Sequence, residues 1–420
     1  MLLLYNLLIT LLSPIWVPWM LLRARRRGEQ PNWKERCGDY PIESSKTVRR
    51  IWVHAVSVGE VVAAMPILRD LRTKLPEHEI VLSVTTSSGH QTAREKAADL
   101  YDHLVYFPID VPRFQLAAML RVKPEVVAIM ETELWMNFLW AAKTIDARTL
   151  LINGRISDRS YPRSRRLKFF YRALLRDLDE ALMQTETDAN RIRDLGARNV
   201  AVLGNCKFDE AATEVDADPD AVRADLGIPA DAFVIVVGST RSEEEECFVL
   251  DALSSLAGDL WVVHAPRHLE RATDLAQAVA ARLGSVALRS KGESGRYLLL
   301  DTYGELGRAY LAADVAIVGG GFGNFGGQNL IQPLAAGKPV LHGVHMQNFA
   351  EATRLALAAG ASIECLTSDA LRDAVERLRS DPDERDRRGA AAREVVAGHL
   401  GASERYASAI AEATEASHPS

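Results

Sequence analysis

The sequence predicts an α/β protein of two doubly wound, Rossmann-like domains carrying an apolar anchor helix at the N-terminus. Three observations lead there. The chain has 420 residues, too many for one ordinary domain and enough for two that each bury a core. From residue 51 short apolar, β-rich runs alternate with helical stretches, lapse at an acidic segment over 214–220 and resume at 232, the pattern of two parallel sheets wrapped by helices. Ahead of them, residues 2–22 hold no charged side chain.

The leading segment is rich in Leu, Ile, Trp, Val and Met, and about 20 such residues suffice to cross a bilayer core. Its cations, Arg23, Arg25, Arg26 and Arg27, follow the apolar run, whereas a signal peptide carries them before it. The segment therefore reads as an uncleaved anchor. The arginines are expected to stay on the cytoplasmic side against anionic head groups, so that residues 2–27 meet membrane lipids and the domains that follow are cytoplasmic. Trp16 and Trp19 suit an interface. Pro14 and Pro18 weaken a straight spanning helix, which leaves a helix lying in the membrane surface as the alternative, and behind it a buried helix of the soluble domain, for which the basic cluster would have no purpose.

With 48% hydrophobic and 25% charged residues, the body is neither disordered nor a polytopic membrane protein. The net charge of -6 offers nucleic acid no general attraction, and no such partner is expected. Cys37, Cys206, Cys247 and Cys365 have neither zinc-ligand nor disulfide spacing, in keeping with a reducing compartment.

Candidate strands of the first domain are residues 50–56, 80–85, 104–107, 126–130, 149–152, 180–183 and 200–203, with helices over 66–75, 90–100, 114–120 and 165–176. Those of the second are 232–238, 260–264, 297–301, 315–318 and 339–341. The expected organisation is an anchor with basic flank (1–28), a first Rossmann-like domain (29–213), a second (214–395) and a C-terminal helix with a disordered tail at 418–420 (396–420). Doubly wound domains bind ligands beyond the carboxyl ends of their strands, so the active site is sought in a central cleft between two such edges.

In the first domain, His54-Ala-Val-Ser57-Val-Gly59-Glu60 stands where the first strand ends. Gly59 permits a tight turn there, and Glu60 is either a catalytic carboxylate or an acid favoured by the helix dipole. Glu131-Thr-Glu133-Leu-Trp135 emerges from a buried run, where two acids and a large aromatic are poor core residues. Asn153-Gly-Arg155-Ile-Ser157 adds a guanidinium suited to a carboxylate or phosphate. Gly204-Asn-Cys206-Lys207-Phe-Asp209 points a lysine to the same edge. For each, a plain surface loop is the other reading.

In the second domain, Gly238-Ser239-Thr240 precedes a helix opened by Ser242 and the acids Glu243–Glu246. Its backbone N–H groups suit a phosphate, provided that the acids face solvent. Pro266-Arg267-His268 sets a cation at a strand end, and Asp301-Thr-Tyr-Gly304-Glu305-Leu306 follows another. The densest signal is the glycine-rich loop from Gly319 to Asn329, whose backbone is built to approach a phosphate or nucleotide closely; it lacks the Lys and Ser/Thr of a P-loop. His342 and His345 do not form a metal site. No Asp-x-Asp pair stands at a strand end, so the chemistry is expected to need neither metal nor cofactor.

In shared order and spacing these motifs resemble the Kdo transferases, GT-B glycosyltransferases that move 3-deoxy-D-manno-oct-2-ulosonic acid (Kdo) from CMP-Kdo to a lipid A precursor, lipid IVA. The similarity runs from the anchor to about residue 395. It implies a GT-B fold, an inverting, metal-independent transfer at the cytoplasmic face of the inner membrane, and Glu60 as the general base. It also implies Ser57, Gly59, Glu131 and Arg155 as acceptor or transition-state support. Donor contacts would come from Lys207, Gly238, Ser239, Thr240, Pro266, Arg267, His268, Gly304, Glu305, Leu306, Asn329 and Gln332. The chain departs from the family pattern at Gln328, where a His is usual, at Gln332, where an acid binds the ribose, at Glu243 in place of Gly, and at Met136 in place of Pro. These departures motivate two alternatives: a GT-B transferase using another nucleotide sugar on a membrane lipid, and a non-catalytic lipid-binding relative.

Overall fold

The computed structural model describes residues 1–26, 28, 32–45, 47–213, 215–256 and 260–416; Arg27, Glu214 and the tail 418–420 lie outside the described residues. The chain divides into two compact units, 1–210 with 401–420, and 211–400.

The first unit is a parallel sheet of β1 (Arg50–Ala55), β2 (Glu79–Val84), β3 (His103–Tyr106), β4 (Val126–Met130), β5 (Arg148–Gly154), β6 (Glu180–Met183) and β7 (Val200–Val202). Their order is β3-β2-β1-β4-β5-β6-β7. The strands are apolar on both faces because both are covered. Ile51, Val53 and Ala55 of β1 pack on one side with Ile67 and Leu68 of the helix Val58–Lys74. Trp52 packs on the other with Phe138 and Val127.

That helix begins eight residues before Pro66, where the sequence places its start, and keeps Pro66 inside. Gly59 accordingly sits in the first helical turn with ordinary helical φ, not in a tight turn, and a Cβ on it would meet nothing within 4 Å. Neither its backbone nor its surroundings require a glycine, and the space above the helix start is open.

The C-terminal helix Ala402–Ala416 returns to the first unit. Tyr406 and Ile410 are buried in the same core as Ile67, and the Tyr406 hydroxyl donates to Gly204 O at 2.7 Å. Asp209 accepts from the N–H groups of Gly401 (2.6 Å) and Ser403 (2.8 Å), so it caps the start of this helix.

The second unit is a parallel sheet of β8 (Phe233–Thr240), β9 (Leu260–Pro266), β10 (Ala287–Leu288), β11 (Tyr297–Leu299), β12 (Val315–Val318), β13 (Val340–His342) and β14 (Ser362–Glu364), in the order β10-β11-β9-β8-β12-β13-β14. The outermost strands, β10 and β14, have two and three residues. No run so short carries a periodicity that marks it as a strand.

The apolar segment forms the helix Leu2–Arg26, long and apolar enough to cross a membrane. Pro14 has no N–H to offer the Thr10 carbonyl, and Ser13 Oγ donates to that oxygen instead at 2.7 Å. The helix does not project freely. Tyr5 donates to Asp110 at 2.7 Å and lies tilted beside the Phe170 ring, and Asn6 exchanges two 2.9 Å side-chain hydrogen bonds with Asn137. Tyr5, Ile9, Trp16 and Met20, at helical spacing, are half-buried on one side, while Leu4, Leu8, Leu11 and Ile15 are exposed on the other.

Candidate active site

In each sheet the chain winds outward from a central strand and then returns to that strand's other side. This puts a topological switch between β1 and β4 in the first unit and between β8 and β12 in the second. Ligand sites of doubly wound sheets form at the carboxyl ends of the strands flanking such a switch.

At the first switch, Ser57 precedes the helix carrying Glu60. Glu60 Oε2 accepts from the Val56 N–H at 2.8 Å and Oε1 from Ser57 Oγ at 3.3 Å. Burial is the main reason that its pKa rises to about 7, with the negative charges of Glu131 and Glu133 adding to the shift and the Val56 N–H opposing it. A carboxyl so poised can accept a proton near neutral pH. Burial also raises Glu133, against a hydrogen bond from Trp135.

Glu131 leaves β4 in the left-handed region (φ 54°), and Asn153 leaves β5 likewise (φ 49°). For residues other than glycine this conformation costs free energy and persists only where the surroundings impose it. Lys207 Nζ meets Glu131 at 2.9 Å; burial would lower the lysine pKa, but the Glu131 charge outweighs that and raises it. Lys207 therefore belongs to the acidic cluster of the first unit and is engaged there. Arg155 follows β5, and its N–H donates to Glu131 O at 3.3 Å. His54, part of the same sequence motif, is a core residue. It stacks on Phe107 (3.8 Å between centroids), bonds Ser83 Oγ at 2.9 Å and is held neutral by burial, with a pKa of about 3.

At the second switch, Gly238 is required by packing, since a Cβ would collide with the Tyr310 hydroxyl. Ser239 has φ 62°, and buried Thr240 bonds His264 Nε2 at 2.8 Å through Oγ1. The Arg267 N–H donates to Thr240 O at 2.8 Å, which ties the end of β9 with Pro266 to the end of β8. The Arg267 side chain is exposed, and His268 Nδ1 lies 3.6 Å from Glu270. Gly304 has φ 87° with open space where a Cβ would be. Glu305 bonds Thr302 and Arg289 (2.8 Å), while Leu306 packs into the core. Asn329 Oδ1 caps the Ile331 N–H at 3.0 Å, one residue before Gln332.

The acids after Ser242 divide, contrary to the expectation that they face solvent. Glu243 and Glu244 are exposed, but Glu245 and Glu246 are each 2% exposed. Glu246 pairs with Arg271 at 2.7 Å. Glu245 accepts from the N–H groups of Arg241 (2.8 Å) and Phe322 (3.2 Å), with Gly320 and Gly323 also donating to it. The N–H groups at the start of the glycine-rich loop thus meet an internal carboxylate, which pins the loop to the helix Glu243–Ser254. Sequence reasoning missed this role. The one available signal was spacing, because residue 245 lies on the inward side of a helix whose residues 249 and 253 are apolar.

Two parallel α/β units with ligand-type edges at their switch points define a GT-B glycosyltransferase architecture. A solved glycosyltransferase from Rickettsia africae shares the fold, with a TM-score of 0.59 at 12% identity over 87% of this chain and 99% of that one. Residues 31–210 match the family model described as 3-deoxy-D-manno-octulosonic-acid transferase (kdotransferase). The 3-deoxy-D-manno-octulosonic acid transferase of Bordetella pertussis is 34% identical over 97% of this chain and 98% of its own length. That of Haemophilus influenzae is 30% identical over 92% of each. The chain belongs to the 3-deoxy-D-manno-octulosonic acid (Kdo) transferase family and is a Kdo-transferring enzyme of that kind.

Proposed function

We propose that the protein transfers Kdo from CMP-Kdo to a hydroxyl of a lipid A precursor, with inversion and without a metal. The observation that carries the reading is Glu60, a carboxylate at a strand-end switch whose pKa near 7 suits proton acceptance. Glu60 removes the acceptor hydroxyl proton as that oxygen bonds to the anomeric carbon; the bond from that carbon to the CMP phosphate oxygen breaks, and CMP leaves with the electron pair. Attack opposite the leaving group inverts the centre. Ser57 and the Val56 N–H orient Glu60, while Glu131, held by Lys207, and Arg155 order the acceptor side. Lys207 acts here through Glu131 rather than as a direct donor ligand.

On the donor side, exposed Arg267 and the Gly238–Thr240 turn receive the single phosphate and the Kdo carboxylate. Pro266, His268 and the Gly304–Leu306 turn frame that site, and Asn329 and Gln332 approach the ribose. One bridging phosphate carries less charge than a diphosphate, which a guanidinium and backbone dipoles can balance.

The helix Leu2–Arg26 binds the cytoplasmic face of the inner membrane. Leu2, Tyr5 and Asn6, in its first turns, pack against or hydrogen-bond the first unit. A helix tied to its own domain at that end is better suited to lying in the interface than to crossing roughly 30 Å of hydrocarbon away from it.

The test is transfer from CMP-Kdo to a tetraacylated disaccharide lipid, with competition by CMP, UDP and GDP. Turnover inhibited selectively by CMP is expected. Selective inhibition by UDP would instead assign another nucleotide sugar, the reading that Gln328 and Gln332 motivate.

A further inference from the structure

We propose that the cavity under the N-terminal helix holds one hydrocarbon chain of the acceptor, an inference that rests on the lipid acceptor proposed above. The cavity measures about 390 Å³. It lies between Ile9, Trp16 and Met20 of the helix and Phe107, Ile109 and Trp135 at the end of the first sheet. Its size falls within the roughly 300–1,000 Å³ of ligand sites. It is more than twice the roughly 150 Å³ of an engineered apolar void that takes up benzene.

Three features select a lipid chain as occupant. The first is chemistry: apart from Arg36, Thr85, Asp110 and the hydroxyl of Tyr5, the lining side chains are apolar, and three of those polar groups are already committed. Tyr5 donates to Asp110 at 2.7 Å, which fastens the roof, and Arg36 donates to Thr85 O at 2.9 Å while lying over the Tyr106 ring. The second is continuity with the reacting groups. Thr85 leads into Thr86, whose N–H and hydroxyl donate to Val56 O, and the Val56 N–H is the donor to Glu60. Trp135, in the opposite wall, hydrogen-bonds Glu133, whose charge acts on Glu60. A chain in the cavity therefore brings its head group to the carboxylate cluster. The third is access: the helix that roofs the cavity exposes Leu4, Leu8, Leu11 and Ile15 on its far side. Hydrocarbon leaving a bilayer beneath such a helix passes from one apolar surface to another without crossing water.

The chain thus serves as a handle whose binding free energy is used for orientation of a distant hydroxyl. The experiment compares two acceptors with the same disaccharide head group, one acylated and one deacylated and water-soluble, in the full-length wild type and in Ile9→Trp and Met20→Trp, which fill the cavity from its roof. The wild type is expected to have a KM at least 10-fold lower for the acylated acceptor. Both variants should raise that KM at least 10-fold and leave turnover of the deacylated acceptor, which reports on folding, unchanged. An unchanged KM for the acylated acceptor in both variants overturns the proposal.

A second readout is independent of turnover and separates failure of the cavity from failure of the transfer reading. An acylated acceptor bearing a diazirine near the end of one chain should label Phe107–Asp110 or Trp135 on irradiation. Labelling confined to Leu4, Leu8, Leu11 and Ile15 overturns the cavity even in an active enzyme. Labelling in the cavity with no Kdo transfer supports the cavity and removes the transfer reading.

Discussion

The two switch points share one topology and give their carboxylates different partners. At the first, Glu60 and Glu133 are half-buried near Glu131, and their pKa values rise. At the second, Glu245 is wrapped by backbone N–H groups, Glu246 is paired with Arg271 and Glu305 with Arg289, while the guanidinium of Arg267 is exposed. Burial, with repulsion from neighbouring acids, raises the carboxyls of the first edge; at the second, burial raises Glu245 as well, but backbone N–H groups and arginines hold its acids while a guanidinium stays exposed. On the reading proposed above, the same doubly wound scaffold serves acid–base work in one unit and anion recognition in the other, by choice of side chains at the strand ends.

The largest expected effect tests the first edge. Glu60→Gln removes the proton acceptor and should lower kcat for Kdo transfer by about 10² to 10⁴. The same substitution should leave stability at pH 8 equal or higher. The folded pKa of about 7 exceeds the ordinary glutamate value of 4.5, so between those values the folded state holds the proton more tightly and stability falls as pH rises. Chemical unfolding at pH 8 measures this, and a large loss of stability would mean that Glu60 is structural.

Next comes the cation of the second edge. A hydrogen bond to a charged group contributes roughly 1.5–3 kcal/mol, so Arg267→Ala should weaken CMP binding by about 10- to 100-fold in calorimetry. Unaltered affinity would remove Arg267 from the donor site.

Glu245→Ala leaves several N–H groups of the glycine-rich loop without their acceptor and should lower stability by about 1–3 kcal/mol in urea unfolding. An unperturbed midpoint would show that the loop does not depend on this clamp.

The smallest effect is a shift rather than a loss. The pH dependence of kcat/KM should rise through about 7 as Glu60 loses its proton, and Glu133→Gln, which removes a neighbouring negative charge, should move that midpoint to lower pH. A midpoint that stays in place would exclude Glu133 from the electrostatic cluster.

The sequence by itself determined the two parallel sheets and the apolar N-terminal helix, and it marked the strand ends on which the proposed site draws. Buried parallel strands must be continuous apolar runs, and the chain leaves each run at the edge where ligands bind, so Ser57, Glu60, Glu131, Gly238 and Arg267 could be read as strand-end residues. It could not tell which strand-end residues face one another, because that depends on strand order. Only the tertiary structure decided that Lys207 meets Glu131, that His54 is core, and that Gly59 leaves room above a helix. The helix 402–416 closes the core of a sheet some two hundred residues earlier in the chain, through Asp209 and Tyr406. Glu245 and Glu243 are indistinguishable in a run of four glutamates until helical phase turns one toward the glycine-rich loop and the other to water. The docking of the N-terminal helix was equally hidden, because hydropathy reports that a segment avoids water and not which apolar surface it meets. Periodicity is local and legible; the pairing of distant groups, and the pKa shifts that follow from it, exist only once the chain has folded.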